Sequence, residues 1–404
     1  MIQEKQKLSG NLNTKQSLNG SLNNTVIYVD PITQEKEVTP TRAAQEIIPD
    51  TGYTGLSKVT VKGYNPNVAN KIITKNGIYK ASDENLDGYS EVTVETGKYK
   101  PRYVSFYNYP GTELDNEINS LDTSDIQRMR DMFSQCTSLI SLDLSNFNTS
   151  NVTNMGSTFY NCRALTNLNL NNFDTSKVVN MIGMFNGCQK LANIDVSNFD
   201  TSNVTGMTSM FNNMYALETI NLSNFNTGKV QNMDSMFQND TKLQEINLSS
   251  FTGTSLTTAR NMFSGCSSLQ NLNISNLDTS NVNDFSYAFY NCSKLETIPK
   301  LKADKMKSIT NSFNQCLKLK NFDGLENIGK AYITSYSANY SNYLFGLSSS
   351  KELTKESLIN ILNNLYDIKA KGCKAQTFSI GTTNIAKLTA EEIAIATEKG
   401  WTVS

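Results

Sequence analysis

Residues 139–164, LISLDLSNFNTSNVTNMGSTFYNCRA, decide the fold. Leu142 and Leu144 alternate with Ser141, Asp143 and Ser145, which is the two-residue period of a strand with one apolar face. After Asn148-Thr149-Ser150 the spacing changes. Val152, Met155 and Phe159 stand three and four apart, on one stripe of a helix. Thr149 or Ser150 then stands where an N-cap oxygen is wanted. The spacing predicts a strand, a capped turn and a short helix.

This unit recurs. Phe133, Phe159, Phe185, Phe211, Phe237, Phe263, Phe289 and Phe313 follow one another at intervals of 26 residues, the last interval being 24. A period of that length marks a solenoid, whose units cannot bury their apolar faces alone and must stack. The strand alternation returns in Leu168/Leu170, Ile194/Val196, Ile220/Leu222, Ile246/Leu248 and Leu272/Ile274. Leu139-x-x-Leu142-x-Leu144-x-x-Phe147 is a leucine-rich-repeat strand pattern. Each unit returns to the same start, so the strands run parallel, and roughly eight of them at about 4.8 Å make a sheet about 35 Å wide. The expected fold class is an α/β solenoid: a leucine-rich-repeat array with a parallel sheet and short helices. Small all-β modules precede it and an α/β C-terminal cap closes it.

Four segments follow. Residues 1–25 hold LSGNL (8–12) and LNGSL (18–22), a Gly/Ser/Asn-rich arm that cannot form a core. Residues 26–100 are small β modules. Val26–Val29 reads as a strand, and 55–61 (GLSKVTV) is similar to 88–94 (GYSEVTV), with Asn76-Gly77 as a turn signal. Residues 101–346 form the array, opened by a strand in which Val104 and Phe106 alternate. Tyr332, Tyr336, Tyr340, Tyr343 and Phe345 crowd its far end, as an aromatic plug over the open end or as a binding patch. Residues 347–404 form the cap, with an amphipathic helix carrying Leu358, Ile361, Leu362 and Leu365. A strand at 378–380 follows, and then a helix N-capped by Thr389.

Composition narrows the function. The chain of 404 residues has a net charge of -1, which excludes the strongly basic face of a nucleic-acid binder. It holds no histidine, so Ser-His-Asp and Cys-His triads and HExxH zinc sites are excluded. A carboxylate-pair hydrolase stays open on that count, but no acidic pair stands out from the repeat. No run of about 18 apolar residues predicts membrane insertion. Met1–Gly10 lacks the basic-then-apolar pattern of a secretory signal, and no lipidation motif or sorting tail closes the chain. The expectation is a protein without enzymatic activity and without a cofactor or metal.

Cys136, Cys162, Cys188, Cys266, Cys292 and Cys316 each lie three residues after a repeat Phe, and Met214 and Asp240 take that slot in two repeats. The row could be disulfides or a metal ladder. Replacement by Met fits a small buried filler instead, so reduced thiols are expected. The outward sheet face is polar, and its candidate binding residues are Asn167, Asn169, Asn193, Asp195, Thr219, Asn221, Asn247, Asn271 and Asn273. Amides and hydroxyls suit a glycan or protein partner. They equally suit a solvated face whose side-chain ladders hold the register.

The unit DTSNVTGMTSMFNNMYALETINLSNF, Asp200 to Phe225, resembles the BspA-like leucine-rich repeats of bacterial surface proteins and of phages. The likeness covers about residues 121–327. The ending at 353–401 resembles the closing segment of phage-encoded versions, and residues 1–100 look like docking modules of tail, baseplate and fibre proteins. The resemblance implies adhesion and display. The expected function is a phage virion structural protein, a tail, baseplate or head fibre. Residues 1–100 would bind other virion proteins and the solenoid a host-surface glycan or protein, with homo-oligomerisation open. The alternative is a bacterial surface adhesin located on the cell surface.

Overall fold

A helix over 152–159 would need right-handed backbone throughout, and the chain does not have it. In the computed structural model Ser157 and Asn161 take φ of 54° and 58°. The same pair of left-handed residues, two before and two after the repeat Phe, recurs at Ser209/Asn213, Ser235/Asn239, Asn261/Gly265, Tyr287/Asn291 and Asn311/Gln315. An L-residue helix cannot contain such positions. Asn and Gly, which dominate the second position, tolerate them best. The expected helices are therefore absent from the described coils.

The structure describes residues 26–29, 56–60, 73–74, 77–78, 91–95, 104–109, 111–114, 123–124, 126–332 and 346–404. The chain divides into two compact units, Met1–Asn180 with Met184–Phe199, and Met181–Gly183 with Asp200–Ser404. Each contains stacked coils. The backbone amides that a helix would turn inward bond to the neighbouring coil instead. In the first unit Met155 N donates to Asn180 O (2.9 Å), Phe159 N to Met184 O (2.9 Å) and Asn161 N to Asn186 O (2.7 Å). In the second, Phe237 N donates to Met262 O (2.9 Å) and Asn239 N to Ser264 O (2.7 Å).

This lateral pairing stacks identical side chains. In the first unit Phe106, Phe133, Phe159 and Phe185 lie face to face, with centroids 5.4, 5.6 and 5.7 Å apart. In the second, Phe211, Phe237, Phe263 and Phe289 stack at 5.5, 5.5 and 5.4 Å, and Phe313 follows at 5.8 Å. All are buried, together with the Val, Met and Leu of the same coils. The three-and-four spacing marks inward positions correctly, although the backbone is not helical.

The parallel sheet is also shorter than expected. Ser141–Leu142 pairs with Asn167–Leu168, and Glu245–Asn247 with Asn271–Asn273. Thr297–Ile298 pairs with Asn321–Phe322, and Leu301–Lys302 with Leu325–Glu326. Each described sheet has two strands. A turn ends each run: Phe173 N donates to Leu170 O (2.9 Å) and Phe225 N to Leu222 O (3.0 Å). A second column of single parallel bridges runs through Arg128, Asn154 and Asn180 in one unit. In the other it links Gly206, Asn232, Thr258, Asp284 and Ser308.

The triplets at 148–150 (NTS) and, recurring as DTS, at 174–176, 200–202 and 278–280 do not cap helices. Their first residue closes a turn on itself, as Asp174 Oδ1 accepts from Ser176 N (2.9 Å) and Asp278 Oδ1 from Ser280 N (3.1 Å). Their buried Thr ties coil to coil. Thr149 Oγ1 accepts from Asp174 N (2.8 Å) and donates to Asp174 O (3.0 Å), and Thr201 does the same with Asn226.

The N-terminal strands pair antiparallel. Val26–Val29 lies against Val104–Tyr107, Leu56–Thr60 against Glu91–Glu95, and Ile73–Thr74 against Gly77–Ile78. The two similar modules thus pair with each other, and Gly77 sits in a strand with residues 75 and 76 between. The arm at 1–25 and the aromatics Tyr336, Tyr340, Tyr343 and Phe345 lie outside the described residues. At the C-terminus, helix Lys355–Asn363 buries Leu358, Ile361 and Leu362, and Leu365 is buried just beyond it. It meets the last coil through Phe322 N to Ser357 Oγ (3.1 Å) and Asn364 Nδ2 to Asp323 O (2.8 Å). Helix Ala390–Glu398 carries a full capping box between Thr389 and Glu392. Gln376–Phe378 pairs parallel with Trp401–Val403, so the strand read at 378–380 lies two residues earlier, and Trp401–Val403 is a further strand that the reading missed.

Phe237→Ala is expected to lower stability by about 3–5 kcal/mol through the cavity left in the stack. Tyr215→Ala, at a side chain 41% exposed, is expected to change it by about 0.5 kcal/mol or less. Equal denaturation midpoints for the two variants would show that the stack does not carry the fold.

Candidate functional site

All nine candidate side chains are exposed on the extended runs, as the strand alternation requires. They do two different jobs. Asn169, Asp195, Asn221, Asn247 and Asn273 each accept the amide two residues on, from Asn171, Ser197, Ser223, Ser249 and Ser275, at 2.9–3.1 Å. Their side-chain oxygens hold turns, which leaves the Asn amide groups as outward donors. Hydrogen bonds from the Ser197 side chain and amide hold the Asp195 carboxyl below its usual range. Asn167, Asn193, Thr219 and Asn271 stand at the other outward position, two residues earlier in each coil.

Asn167, Asn169, Asn193 and Asp195 belong to the first unit, and the other five to the second. Within the second unit an open groove of about 720 Å³ runs across the coils. Thr219, Asn247, Asn271 and Asn273 line it, and Asn221 does not. Ile220, Ile246 and Leu272 reach it from beneath, and Glu245, Gln270, Glu296 and Thr297 complete its sides. None of those last four is among the nine candidates read from the sequence. Register with the candidates could have found two of them, Glu245 and Thr297. Glu245 lies 26 residues from both Thr219 and Asn271, and Thr297 lies 26 after Asn271, whereas Glu296 lies 26 after Gln270. Glu296 is paired with Lys320 at 3.1 Å, whereas Glu245 forms no ion pair among the described residues.

The thiols form an internal row, not a site. All seven cysteines are free, and the six in register are buried. Each of the six donates to the carbonyl of a Phe in the coil before. Cys162 Sγ lies 3.1 Å from Phe133 O, Cys188 3.2 Å from Phe159 O and Cys266 2.9 Å from Phe237 O. Burial pushes Cys188 and Cys316 up to about 12 and raises Cys162, Cys266 and Cys292 well above the usual thiol range. No group of three or more His, Cys, Asp or Glu that could hold a metal occurs among the described residues.

Asp240 occupies one thiol slot and is fully buried. Its Oδ1 accepts Met214 N at 2.9 Å, while Oδ2 has no partner. Burial raises its pKa well above the usual carboxyl range. Such an acid is neutral in both folded and unfolded chains at low pH. Above about pH 4 the unfolded chain loses the proton first, so stability falls as pH rises toward the folded value.

The geometry defines a solenoid of repeat coils with a polar outer groove. Residues 104–220 and 213–327 match the family described as "Mycoplasma protein of unknown function, DUF285". These stretches cover more than half of the 404 residues, and the chain belongs to that family. No curated protein sequence matches the chain. Among solved structures, a leucine rich cell surface protein from Faecalibacterium prausnitzii is similar at 16% identity and a TM-score of 0.28, over 85% of this chain and 94% of its own. The functional domain of InlJ from Listeria monocytogenes, which includes a cysteine ladder, is similar at 13% identity and a TM-score of 0.15, over 66% of this chain and 74% of its own. Overlaps this loose set no constraint on the shape or role of this chain.

Asp240→Asn and Asp240→Cys are expected to stabilise the fold, and their advantage over the natural chain should widen from about pH 4 upward. Unfolding measured at several pH values reads this directly, and a constant difference would contradict the buried acid. In the folded protein a thiol reagent should label Cys373, which is partly exposed, and reach the six register cysteines only after unfolding.

Proposed function

We propose that this chain is a non-enzymatic adhesion protein of the bacterial cell surface, binding through the outward polar face of its coils. One observation carries the reading. The groove side chains stand in rows on a backbone that is hydrogen-bonded from coil to coil, and turn bonds fix the direction of Asn247 and Asn273. A rigid array of donors and acceptors binds without reorganising, which lowers the cost of association. The BspA-like resemblance of the repeat unit agrees with adhesion and display.

The groove contains two carboxylates, so hydrolysis has to be weighed. Glu245 and Glu296 lie two coils apart, about 10 Å at the backbone. Glu245 shares its row with Thr219 and Asn271, whereas Glu296 stands in the row of Gln270. Glu296 is also paired with Lys320 at 3.1 Å. Incubation with host wall polysaccharide should leave the polymer length unchanged.

A narrower reading makes the chain a virion fibre docked through residues 1–100. It rests on the LSGNL and LNGSL phrases and the 55–61 and 88–94 modules, which lie largely outside the described residues. Surface proteolysis and antibody labelling of uninfected cells decide between the two. Protein removed from intact cells by protease supports the cell-surface reading. Protein found only on purified particles, and lost from them when residues 1–100 are deleted, replaces it with the virion one.

A further inference from the structure

The groove of the second unit has a composition that selects a ligand class. Its floor is the backbone of Ile220, Ile246 and Leu272, one residue per coil, with the Ile220 and Ile246 side chains buried in the core and Leu272 half-buried. Polar rows flank this strip. Asn247 and Asn273 have their side-chain oxygens committed to the amides of Ser249 and Ser275, so they offer N–H donors. Glu245 offers only acceptors, while Thr219, Asn271 and Thr297 can serve as either. Rows of mixed donors and acceptors standing on either side of a bare backbone strip match the rim of hydroxyls of a pyranose. An extended peptide would seek an open sheet edge for its backbone, and this groove lies on the sheet face.

Spacing and charge refine the match. The lining spans the four coils that carry Thr219, Glu245, Asn271 and Thr297. Parallel neighbours repeat at about 4.8 Å, close to the advance of one sugar in an extended chain. Glu245 sits among these rungs with no ion pair among the described residues, while Lys320 engages Glu296 at 3.1 Å. An acidic polymer would meet an unbalanced carboxylate there.

Resting on the adhesion reading above, we propose that this groove binds a linear polysaccharide free of acidic groups, laid along the stack with one sugar per coil. Contacts repeat at each coil, so affinity should climb with chain length until four coils are filled.

Isothermal titration with hexamers of β-1,4-linked N-acetylglucosamine, of glucosamine and of galacturonate tests this on the full chain. The neutral and amine-bearing hexamers are expected to bind, and the acidic one at least tenfold more weakly. A dimer should bind at least tenfold more weakly than the hexamer. Asn271→Ala should lower affinity about tenfold, and Glu245→Arg should reverse the preference between glucosamine and galacturonate. Both positions are exposed, so melting curves should match the natural chain. Unchanged affinities in both variants, or tighter binding of the acidic hexamer, would overturn the proposal. Adhesion to cells with no hexamer bound, or with a peptide competing for the groove, would remove the glycan and leave adhesion standing. Hexamer binding by a protein found absent from every cell surface would do the reverse.

Discussion

The structure depends on where the amides around each repeat Phe send their hydrogen bonds. Two left-handed residues, such as Ser157 and Asn161, turn the backbone so that its amides point along the stack and not into a helix. Met155, Phe159 and Asn161 then reach the carbonyls of Asn180, Met184 and Asn186. Everything else follows from this lateral pairing. It places each Phe ring on the one before, at 5.4–5.8 Å within each unit. It also lines up the thiols, the triplet Thr residues and the outward amides. Each backbone amide left without a partner in such a buried stack would cost about 1–3 kcal/mol, and every coil has several of them.

Much of this was legible in the residues, and the failures have a common cause. The Phe interval located the core, and the Cys and Met of the same clock were read correctly as buried filler. The cap helix with Leu358, Ile361 and Leu362 was plain from its apolar stripe, and Thr389 was plain as an N-cap. The helix over 152–159 was misread because offsets of three and four describe a side-chain rhythm, not a backbone. A turn-rich coil and a helix turn side chains inward at similar intervals. The distinguishing signal was present: Asn161, Gly187, Asn213, Asn239, Gly265 and Asn291 put Asn or Gly at one fixed offset from Phe. Gly187 takes φ of 79°, and a Cβ there would lie 2.4 Å from Asn161 Oδ1. The outward face was identified by alternation, but its division into turn-holding and freely presented positions depends on hydrogen bonds that alternation does not encode.

The two departures in the thiol row show how firmly the stack imposes its environment. Met214 fills the slot with apolar volume, and Asp240 fills it with a carboxyl that accepts Met214 N. In the remaining rows a thiol bonds a Phe carbonyl. The carboxyl leaves Oδ2 unpartnered, and burial favours its protonated form. A weakly polar group is tolerated in every coil, and a strongly polar one only where a backbone amide meets it.

The lateral bonding has a consequence for heredity. Each coil joins its neighbours through the same backbone atoms, and in the run from Phe133 to Phe289 the interval is constant at 26 residues. Unequal recombination between such tandem gene segments adds or removes whole coils without disturbing the joints that remain. The coil that ends at Phe313 is two residues shorter and still stacks its ring at 5.8 Å, so small changes of length are absorbed away from the Phe row. Lineages carrying this architecture should therefore vary in reach by whole steps, while the chemistry displayed on each step drifts freely.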